Sequence, residues 1–471
     1  MTGHAPDLCV IGGGAAGLAV AAGAAQMGAR VVLVERGEMG GECLNTGCVP
    51  SKSLLATAKL VHSWRNAGAF GLDEKPSRVD FTAVGASVQR VIDRIAPNDS
   101  AERFERLGVR VLPAEGRFAD PQTLVAAGET IRPRRFVIAT GSQPAIPPIP
   151  GLERTPYLTN ETVFGNRALP THLIVIGGGA VGIEMAQAHR RLGAAVTVLD
   201  AGPILPRDDP ELVALLSERL LAEGVALRPS IEIARVAGGA GEIAVLLESG
   251  ERIAGSHLLV AAGRRPSHDA LDLAAAGIAA NDRGIVVDRR LRTTNRRAFA
   301  IGDAVAGGPQ FTHIALYHAG VVIRNALFRL PAKVDYRALP WVTYTDPELA
   351  QVGLGEPAAQ ATSGATRVLR WRFADNDRAH TERDTDGLVK IVTSRRGRVL
   401  GAAILGANAG DLILPWALAV SRRLKIGAVA NLIVPYPTRG EAGKRAAGEY
   451  YAPTLFSPRT RRLVRLLAHF G

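Results

Sequence analysis

The clearest hydrophobic pattern in the chain is a short apolar run, a glycine-rich turn, an alanine-rich helical stretch and a second apolar run that ends on an acid. Residues 8–11 form the first run and residues 30–35 the second. The same order returns at residues 174–176 and 195–200. Buried parallel strands carry continuous apolar runs and are joined by a helix, so each copy predicts a βαβ unit.

Each copy carries three glycines in the turn after its first apolar run, in the spacing GxGxxG: Gly12, Gly14 and Gly17, and again Gly177, Gly179 and Gly182. The first glycine of such a turn permits a tight bend, the second lets a phosphate approach the backbone, and the third lets helix and strand pack closely. A pyrophosphate then lies against the helix N-terminus. Glycine-rich turns without a ligand are the alternative, but two such turns in complete βαβ patterns indicate two dinucleotide sites.

An acid closes both patterns at the same distance. Glu35 lies as many residues after Gly12 as Asp200 lies after Gly177. Such an acid binds ribose hydroxyls, and the Asp200 carboxylate would repel the 2′-phosphate of NADPH. Arg207, seven residues further on, would offset part of this repulsion. Two nucleotide sites indicate electron relay between a tightly held FAD and an exchanging nicotinamide, with NADH favoured over NADPH.

Residues 40–52 read GGECLNTGCVPSK and place Cys43 and Cys48 five positions apart, where a loop enters a helix. A thiol near a helix N-terminus has its thiolate stabilised, which favours exchange and charge transfer to a flavin. A structural disulfide and half of a zinc site are the alternatives, but no second pair of metal ligands is evident and we expect a reducing compartment. The pair is therefore predicted to be redox-active, and Cys9, on the first strand, to be an inert core residue.

Length, charge and hydropathy limit the remaining possibilities. With 471 residues the chain is too long for one core, and about three domains are expected. Its formal net charge of +12 comes mostly from arginine, but we find no motif with interleaved aromatic residues and expect no nucleic-acid binding. No apolar stretch reaches the ~18 residues of a membrane span, and the N-terminus lacks a basic signal region, so we expect a cytoplasmic protein.

In the order of its motifs the chain resembles the pyridine nucleotide-disulfide oxidoreductases, which include dihydrolipoamide dehydrogenase, glutathione reductase and mercuric reductase. The resemblance runs from about residue 6 to about residue 450. It implies that Cys43 is the interchange thiol that meets the substrate and that Cys48 is the flavin-side thiol. It also implies that Lys52 lies near flavin N5 and pairs with Glu184 of the nicotinamide domain.

Further segments extend the resemblance to the cofactor sites. The Ala-Thr-Gly segment that contains Thr140 and Gly141 resembles the link out of the first FAD segment. The FAIGD segment that ends at Asp303 resembles the second FAD motif, in which the aspartate takes a ribityl hydroxyl. The AGRRP segment that contains Gly263 resembles the exit from the nicotinamide domain.

The resemblance implies an α/β fold with two Rossmann-like dinucleotide-binding domains, for FAD and NAD(P), and a C-terminal α+β dimerisation domain. The expected domains are the first part of the FAD domain at 1–150, the NAD(P) domain at 151–265, the second part of the FAD domain at 266–337, and the dimerisation domain with a basic tail at 338–471. Because that last domain pairs two subunits in the family, a C₂ homodimer is expected.

One position departs from the disulfide-reducing members, in which a His-Pro-Thr-x-x-Glu segment crosses the dimer and supplies the acid–base for thiol exchange. Here the segment reads YPTRGE, from Tyr436 to Glu441. A phenol with a pKa near 10 is a donor or metal-facing oxygen but a poor base at neutral pH, where imidazole titrates. Turnover of dihydrolipoamide or glutathione disulfide is therefore expected to be slow. His313 is a further catalytic candidate, although a lone histidine is more often a surface or packing residue.

Mercuric reductase also carries tyrosine at that position, and two soft thiolates suit a thiophilic metal ion. Its pattern includes a terminal vicinal cysteine pair, and often an N-terminal metal-binding domain, and this sequence has neither. The acceptor is expected to be a metal ion or a thiophilic small molecule. Dithiol–disulfide exchange of the dihydrolipoamide dehydrogenase type is one alternative, and a redox partner or scaffold of a membrane protein is another.

The C-terminal tail carries basic and apolar residues together. After Glu449 it has no acid and four arginines, Arg459, Arg461, Arg462 and Arg465. It resembles the tail of a bacterial subgroup often labelled mercuric reductase-like, of which some members are fused to a membrane domain. A basic amphipathic helix can lie on anionic lipid, at the inner face of the membrane, or dock on its own dimer, and both interpretations stay open.

Overall fold

The structure, a computed structural model, describes residues 5–72 and 79–470. In chain order the strands are β1 (Leu8–Ile11), β2 (Val31–Glu35), β3 (Val109–Pro113), β4 (Arg117–Asp120), β5 (Thr123–Ala126), β6 (Glu129–Ile131), β7 (Arg135–Ile138), β8 (Ser142–Pro144), β9 (His172–Ile176), β10 (Ala195–Leu199), β11 (Val225–Arg228), β12 (Ile233–Gly239), β13 (Glu242–Leu247), β14 (Arg252–Gly255), β15 (His257–Val260), β16 (Arg264–Pro266), β17 (Ala280–Asn281), β18 (Gly284–Ile285), β19 (Ala298–Ala300), β20 (Pro340–Thr343), β21 (Glu348–Gly353), β22 (Thr366–Arg372), β23 (Leu388–Ser394) and β24 (Val399–Gly406).

The α-helices are α1 (Ala15–Gln26), α2 (Gly41–Asn45), α3 (Cys48–Arg65), α4 (Phe81–Ile95), α5 (Ala101–Arg106), α6 (Ala180–Leu192), α7 (Pro210–Ala222), α8 (Thr312–Ala326), α9 (Glu356–Ser363), α10 (Asp377–Thr381), α11 (Ala409–Leu412), α12 (Leu414–Ser421), α13 (Gly427–Ala430), α14 (Gly440–Gly448), α15 (Ala452–Leu455) and α16 (Pro458–Leu467). The chain divides into two compact units, Met1–Ala201 with Ile231–Val334, and Gly202–Ser230 with Asp335–Gly471. The four-segment domain division expected from the sequence stays a prediction.

The first unit contains a five-stranded parallel sheet in the order β19-β7-β1-β2-β3. Every residue of β1 is buried, as expected for a central strand covered on both faces. Helix α1 is rich in alanine and glycine, and it packs against α8 so closely that a Cβ on Gly23 would lie 2.8 Å from Cδ1 of Ile323. The first predicted βαβ unit is thus β1-α1-β2.

The second predicted βαβ unit is β9-α6-β10. Strand β9 pairs in parallel with β10 on one side and with β15 on the other. A three-stranded antiparallel sheet, β12-β13-β14, packs beside it in the same hydrophobic core. The hydrophobic patterns therefore predicted both nucleotide-type units correctly.

The second unit is an antiparallel five-stranded sheet in the order β20-β21-β24-β23-β22, packed against helices α7, α11, α12 and α14. Its core includes the buried Trp416 and Phe373. Lys390, on β23, is buried between carboxylates, with its Nζ 2.8 Å from Oδ2 of Asp209 and 3.0 Å from Oε2 of Glu211. Within the described residues, no helix is both long and apolar enough to cross a membrane.

Candidate active site

The residues predicted to bind nucleotides follow the carboxyl ends of parallel strands. In the first sheet Gly12 follows β1 directly, Thr140 lies two residues after β7, and Asp303 lies three residues after β19. In the parallel sheet that contains β9, β10 and β15, Gly177 follows β9 directly and Gly263 lies three residues after β15. Because parallel strands end at one edge of the sheet, each set of residues meets at the edge where open α/β sheets bind ligands.

The first glycine turn is crowded at two positions and open at the third. Gly12 has a φ of +109°, and a Cβ there would collide with the carbonyl oxygen of Ala139. A Cβ on Gly17 would collide with the carbonyl oxygen of Gly12. Beside Gly14 the nearest atom to such a Cβ is Cα of Gly41, at 3.9 Å. The turn therefore leaves its free space where a phosphate is expected.

The second glycine turn repeats this geometry. Gly177 has a φ of +116°, and a Cβ there would collide with the carbonyl oxygen of Ala261. A Cβ on Gly182 would collide with the carbonyl oxygen of Gly177, whereas no atom lies within 4 Å of a Cβ on Gly179. The same two contacts and the same open position in both turns support two dinucleotide sites.

Both acids of the nucleotide patterns lie against their glycine turns. The carboxylate of Glu35 accepts hydrogen bonds from the backbone N–H groups of Gly13 and Gly37. The carboxylate of Asp200 accepts the backbone N–H of Gly178 at 2.6 Å. Each acid is thus held at the end of its turn, where a ribose would offer its hydroxyls.

The loops after β7 and β19 offer polar groups that fit FAD. The hydroxyl of Thr140 is buried and has no hydrogen-bond partner among the described residues. Gly141 follows with a φ of +68° and no atom within 4 Å of a Cβ. The Asp303 carboxylate accepts a hydrogen bond from Ser142 at 2.7 Å. A buried hydroxyl without a partner costs about 1–3 kcal/mol, so a ligand oxygen or nitrogen beside Thr140 would stabilise the site.

An ion pair joins helix α2 to strand β16, which follows the second βαβ unit in the chain. Arg264 binds the Glu42 carboxylate with both terminal nitrogens, and Asn160 donates to the same carboxylate at 2.9 Å. Burial raises the pKa of Glu42 to about 7, against the opposing charge of Arg264. Since Glu42 precedes Cys43, this pair fixes the position of the segment that bears the first thiol.

The two predicted redox cysteines lie together and are both free thiols in the structure. Cys43 lies in α2 and Cys48 is the first residue of α3. The hydroxyl of Thr312, the first residue of α8, lies 3.3 Å from Sγ of Cys48 and 3.4 Å from Sγ of Cys43. The third cysteine, Cys9, is fully buried in β1, and burial raises its pKa to about 12.

The two thiols differ in acidity. A hydrogen bond from Cys43 lowers the pKa of Cys48 to about 6, and a hydrogen bond from Thr312 and the charge of Lys52 act in the same direction, against burial. The same hydrogen bond to Cys48, together with burial, raises the pKa of Cys43. The N-terminus of α3 also favours negative charge at Cys48. In the reduced pair these effects favour the proton on Cys43 and the negative charge on Cys48.

Lys52 and Glu184 form the ion pair that the resemblance implied. Nζ of Lys52 lies 2.8 Å from Oε2 of Glu184, which joins α3 to α6. The carboxylate is almost fully buried and the lysine side chain is 37 % exposed. One turn of helix separates Lys52 from Cys48, so the ammonium stabilises the neighbouring thiolate.

In the second unit, Tyr436 donates a hydrogen bond from its hydroxyl to Oδ2 of Asp377 at 2.6 Å. Its side chain is exposed, and the bond to the Asp377 carboxylate raises the pKa of the phenol. Glu441 pairs with Arg445 at 2.7 Å, one turn along α14. The phenol is therefore held as a neutral hydrogen-bond donor.

Sequence reasoning missed several of these side chains, above all Thr312 and Asp377. Thr312 lies 264 residues from Cys48, and no local pattern links the two positions. Asp377 begins a short helix that the sequence does not distinguish from other polar turns. Glu42 could have been singled out from the sequence, because an acid immediately before a redox cysteine is expected to have a basic partner.

The sequence matches the family described as "Pyridine nucleotide-disulphide oxidoreductase" over residues 6–319 and that family's dimerisation domain over residues 339–447. The chain belongs to this family. A mercuric reductase of Streptomyces lividans is 37% identical over 94% of this chain and 95% of its own length. A dihydrolipoyl dehydrogenase of Thermus scotoductus is 36% identical over 94% of this chain and 96% of its own length.

Solved structures of family members have the same fold. The Cu(II) complex of the HOCl-induced flavoprotein disulfide reductase RclA from Escherichia coli gives a TM-score of 0.85 at 28% identity, covering 93% of this chain and 98% of that one. LpdA from Mycobacterium tuberculosis also gives 0.85 at 28% identity, covering 94% and 99%.

This family membership confirms the broad predictions from the sequence. The chain is a mercuric reductase-like flavoprotein disulfide oxidoreductase with the predicted α/β fold, and its cofactors are FAD and a pyridine nucleotide. The dimerisation domain makes it a homodimer.

Proposed function

We propose that Cys43 and Cys48 alternate between a disulfide and a thiol–thiolate pair and carry two electrons from NADH to an external acceptor. The chemistry supplied by bound FAD is the transfer of an electron pair from the nicotinamide to that disulfide. The asymmetry of the two thiols carries the proposal. Cys48 begins a helix near the Lys52 ammonium, and Cys43 donates a hydrogen bond to it.

The proton and electron count follows from this asymmetry. Two electrons and one proton cleave the S–S bond and leave a thiol on Cys43 and a thiolate on Cys48. When an acceptor is reduced, the S–S bond re-forms and two electrons and one proton leave. Lys52, held by Glu184, stabilises the Cys48 thiolate between these steps.

We assign the remaining predicted residues to the two cofactors. For FAD these are Gly12, Gly14, Gly17, Glu35, Thr140, Gly141 and Asp303. For the pyridine nucleotide they are Gly177, Gly179, Gly182, Asp200 and Gly263. The open space at Gly14 and Gly179 and the buried hydroxyl of Thr140 support these assignments.

The acceptor we propose is a thiophilic metal ion, or a small thiophilic electrophile. Soft thiolates bind soft cations, and this chemistry does not need a base that titrates near neutral pH. Tyr436, already bonded to Asp377, is proposed as a hydrogen-bond donor or metal ligand, and Glu441 as a second catalytic residue whose charge acts on the phenol. The similarity to mercuric reductases, and to a reductase crystallised as a Cu(II) complex, supports this acceptor class.

An acceptor screen tests the proposal. NADH oxidation is measured with Hg(II), Cu(II), lipoamide and glutathione disulfide, for the wild type and for Cys43→Ser and Cys48→Ser. Cys9→Ala is the matched control, because Cys9 is fully buried in β1. We expect metal-ion reduction in the wild type and the control and its loss in the other two variants. Undiminished metal reduction in Cys43→Ser would refute the proposed route.

The second candidate is dithiol–disulfide exchange, as in dihydrolipoamide dehydrogenase. The 36% identity to a dihydrolipoyl dehydrogenase over most of both chains favours it. In the same screen, lipoamide turnover that exceeds metal reduction would select this candidate over the first.

NADH is proposed as the preferred nucleotide. The Asp200 carboxylate is held at the glycine turn by Gly178 and would repel a 2′-phosphate. We expect a kcat/KM at least tenfold higher for NADH than for NADPH, and a smaller ratio in Asp200→Ser. A preference for NADPH in the wild type would contradict the assignment.

We also propose that the tail binds anionic membrane surfaces, either alone or next to a membrane-protein partner. Helix α16 has no buried residue. At about 100° per residue, Leu463, Leu466 and Leu467 share one face, and Arg461 and Arg465 lie on the opposite face. The net charge of +12 disfavours docking of a basic helix on a second copy of this chain.

Vesicle sedimentation tests this surface. The full chain and a chain without residues 455–471 are mixed with vesicles of phosphatidylcholine, with or without phosphatidylserine. We expect the full chain to sediment with vesicles that contain phosphatidylserine, but not with phosphatidylcholine vesicles. The shortened chain should sediment with neither. Equal partitioning of the two chains would remove the membrane proposal without affecting the redox one.

A further inference from the structure

Thr312 holds the one side-chain hydroxyl that the structure places within hydrogen-bond reach of both redox sulfurs among the described contacts. Its Oγ1 donates a hydrogen bond to Sγ of Cys43 at 3.4 Å and lies 3.3 Å from Sγ of Cys48, where either atom can be the donor. The three residues come from α8, α3 and α2, so the tertiary fold creates this triangle. Thr312 begins α8, but its hydroxyl is not used to cap that helix, since the N-cap is Phe311 without a side-chain bond.

A hydroxyl at this place can serve two sulfurs in turn. It has one proton and two lone pairs, and its proton rotates about the C–O bond. It can therefore donate to whichever sulfur is the thiolate and accept from the other sulfur when that one is a thiol. A hydrogen bond to a charged group is stronger than one to a neutral group, so donation follows the negative charge.

We propose that Thr312 is a positioning residue that donates its hydrogen bond to the thiolate of the redox pair and turns from Cys48 to Cys43 as the charge moves between them. This inference rests on the proposed redox function of the pair. When the negative charge lies on Cys48, the hydroxyl donates to Cys48 and increases its thiolate fraction. When Cys43 becomes the attacking thiolate, the same hydroxyl stabilises it and the proton passes to Cys48.

Other charged groups act on the same sulfurs and must be held constant in a test. Lys52 stabilises negative charge at Cys48, whereas Glu184 and Glu42 oppose negative charge at the pair. Each of them remains in place when only the hydroxyl of Thr312 is changed. A change in thiol ionisation then reports on the hydroxyl itself.

Thr312→Val removes the hydroxyl and keeps the branched shape, and Thr312→Ser keeps the hydroxyl. Thr57→Val is the matched control, because Thr57 is also half-buried and its hydroxyl donates to the carbonyl of Ser53 on α3. In each reduced holoenzyme the rate of alkylation by iodoacetamide is measured against pH, together with the long-wavelength flavin–thiolate absorbance. Neither readout requires the acceptor.

We expect the pH midpoint of the thiolate to rise by about one unit in Thr312→Val, which is about tenfold less thiolate at pH values below the midpoint. Thr312→Ser and Thr57→Val should titrate within a few tenths of a unit of the wild type. A wild-type midpoint in Thr312→Val would overturn the inference, and so would an equal shift in Thr312→Ser. If Thr312→Val loses its flavin, the comparison of Thr312→Ala with Thr312→Ser decides in the same way.

The two proposals fail separately. Metal reduction that persists in Cys43→Ser would refute the proposed electron route, whatever the midpoint of Thr312→Val. An unchanged midpoint in Thr312→Val would refute the role of the hydroxyl, whatever the outcome of the acceptor screen.

Discussion

We propose that single side chains decide which half-reaction this enzyme performs well. Cys48 is stabilised as a thiolate by a hydrogen bond from Cys43, by its helix N-terminus and by Lys52, whereas Tyr436 places a phenol where the resemblance implies an acid–base. Reduction of the disulfide requires the first feature, and exchange with a substrate disulfide requires a base as well. The residues therefore favour an acceptor that binds directly to sulfur.

Replacing Tyr436 with histidine tests this reasoning. Imidazole titrates near pH 6.5, so Tyr436→His should raise lipoamide or glutathione disulfide turnover by about 10- to 100-fold. Tyr436→Phe, which removes only the hydroxyl, should not. Steady-state kinetics at pH 7 check the prediction, and a histidine variant no faster than the phenylalanine variant would count against the missing base as the limit.

Among single residues, the sequence predicted those in the repeated glycine turns and missed those that only the tertiary fold brings together. Gly12 and Gly17 could be predicted because a Cβ on the third glycine would collide with the carbonyl of the first glycine in both turns. Thr312 could not be predicted, because its meeting with Cys48 depends on packing between distant helices. Asp377 was missed for the same reason, since only folding brings it to Tyr436.

The contribution of a helix-capping carboxylate to stability depends on its burial. Asp209 caps α7 by accepting the backbone N–H of Glu211, and it also lies 2.8 Å from Nζ of the buried Lys390. Asp80 caps α4 through Ala83, but it is exposed. The two N-caps therefore form a matched pair that differs in a buried charge.

Asp209→Ala should lower the free energy of unfolding by about 3–5 kcal/mol, because a buried lysine loses a carboxylate as well as the helix losing its cap. Asp80→Ala should lower it by only about 1 kcal/mol. Chemical denaturation at pH 7 gives both values. Equal losses would mean that the Lys390 cluster adds nothing beyond the cap.

The same cluster gives the second unit a pH dependence. Hydrogen bonding to Arg370 lowers the pKa of Glu211 to about 2, with Lys390 acting in the same direction. A carboxyl with a depressed folded pKa contributes stability above its unfolded pKa, and that contribution is lost as the pH falls toward the folded pKa. The stabilising effect of Glu211 is therefore expected to disappear between about pH 4 and pH 2.

The strength of the sequence signal also varied between elements. The parallel units were predictable because continuous apolar runs and glycine turns leave few other arrangements. The antiparallel sheet β20-β21-β24-β23-β22 was expected only through resemblance, because its strand order brings together segments that no local pattern connects. Helix α16 followed from its alternating arginines and leucines.

In the whole molecule, we propose that two nucleotide sites and one cysteine pair form a single electron route. Family membership implies that the chain binds FAD and a pyridine nucleotide and forms a dimer. The acceptor does not follow from the fold, because the same scaffold serves relatives named for mercury and for dihydrolipoamide.

Anaerobic titration with NADH tests this route most directly. The oxidised enzyme is titrated while the flavin absorbance and the long-wavelength charge-transfer absorbance are recorded, for the wild type and for Cys48→Ser. We expect a long-wavelength band in the wild type that is absent in Cys48→Ser, with Cys9→Ala unchanged. A wild-type flavin that bleaches without the band, or a band that survives in Cys48→Ser, would contradict it.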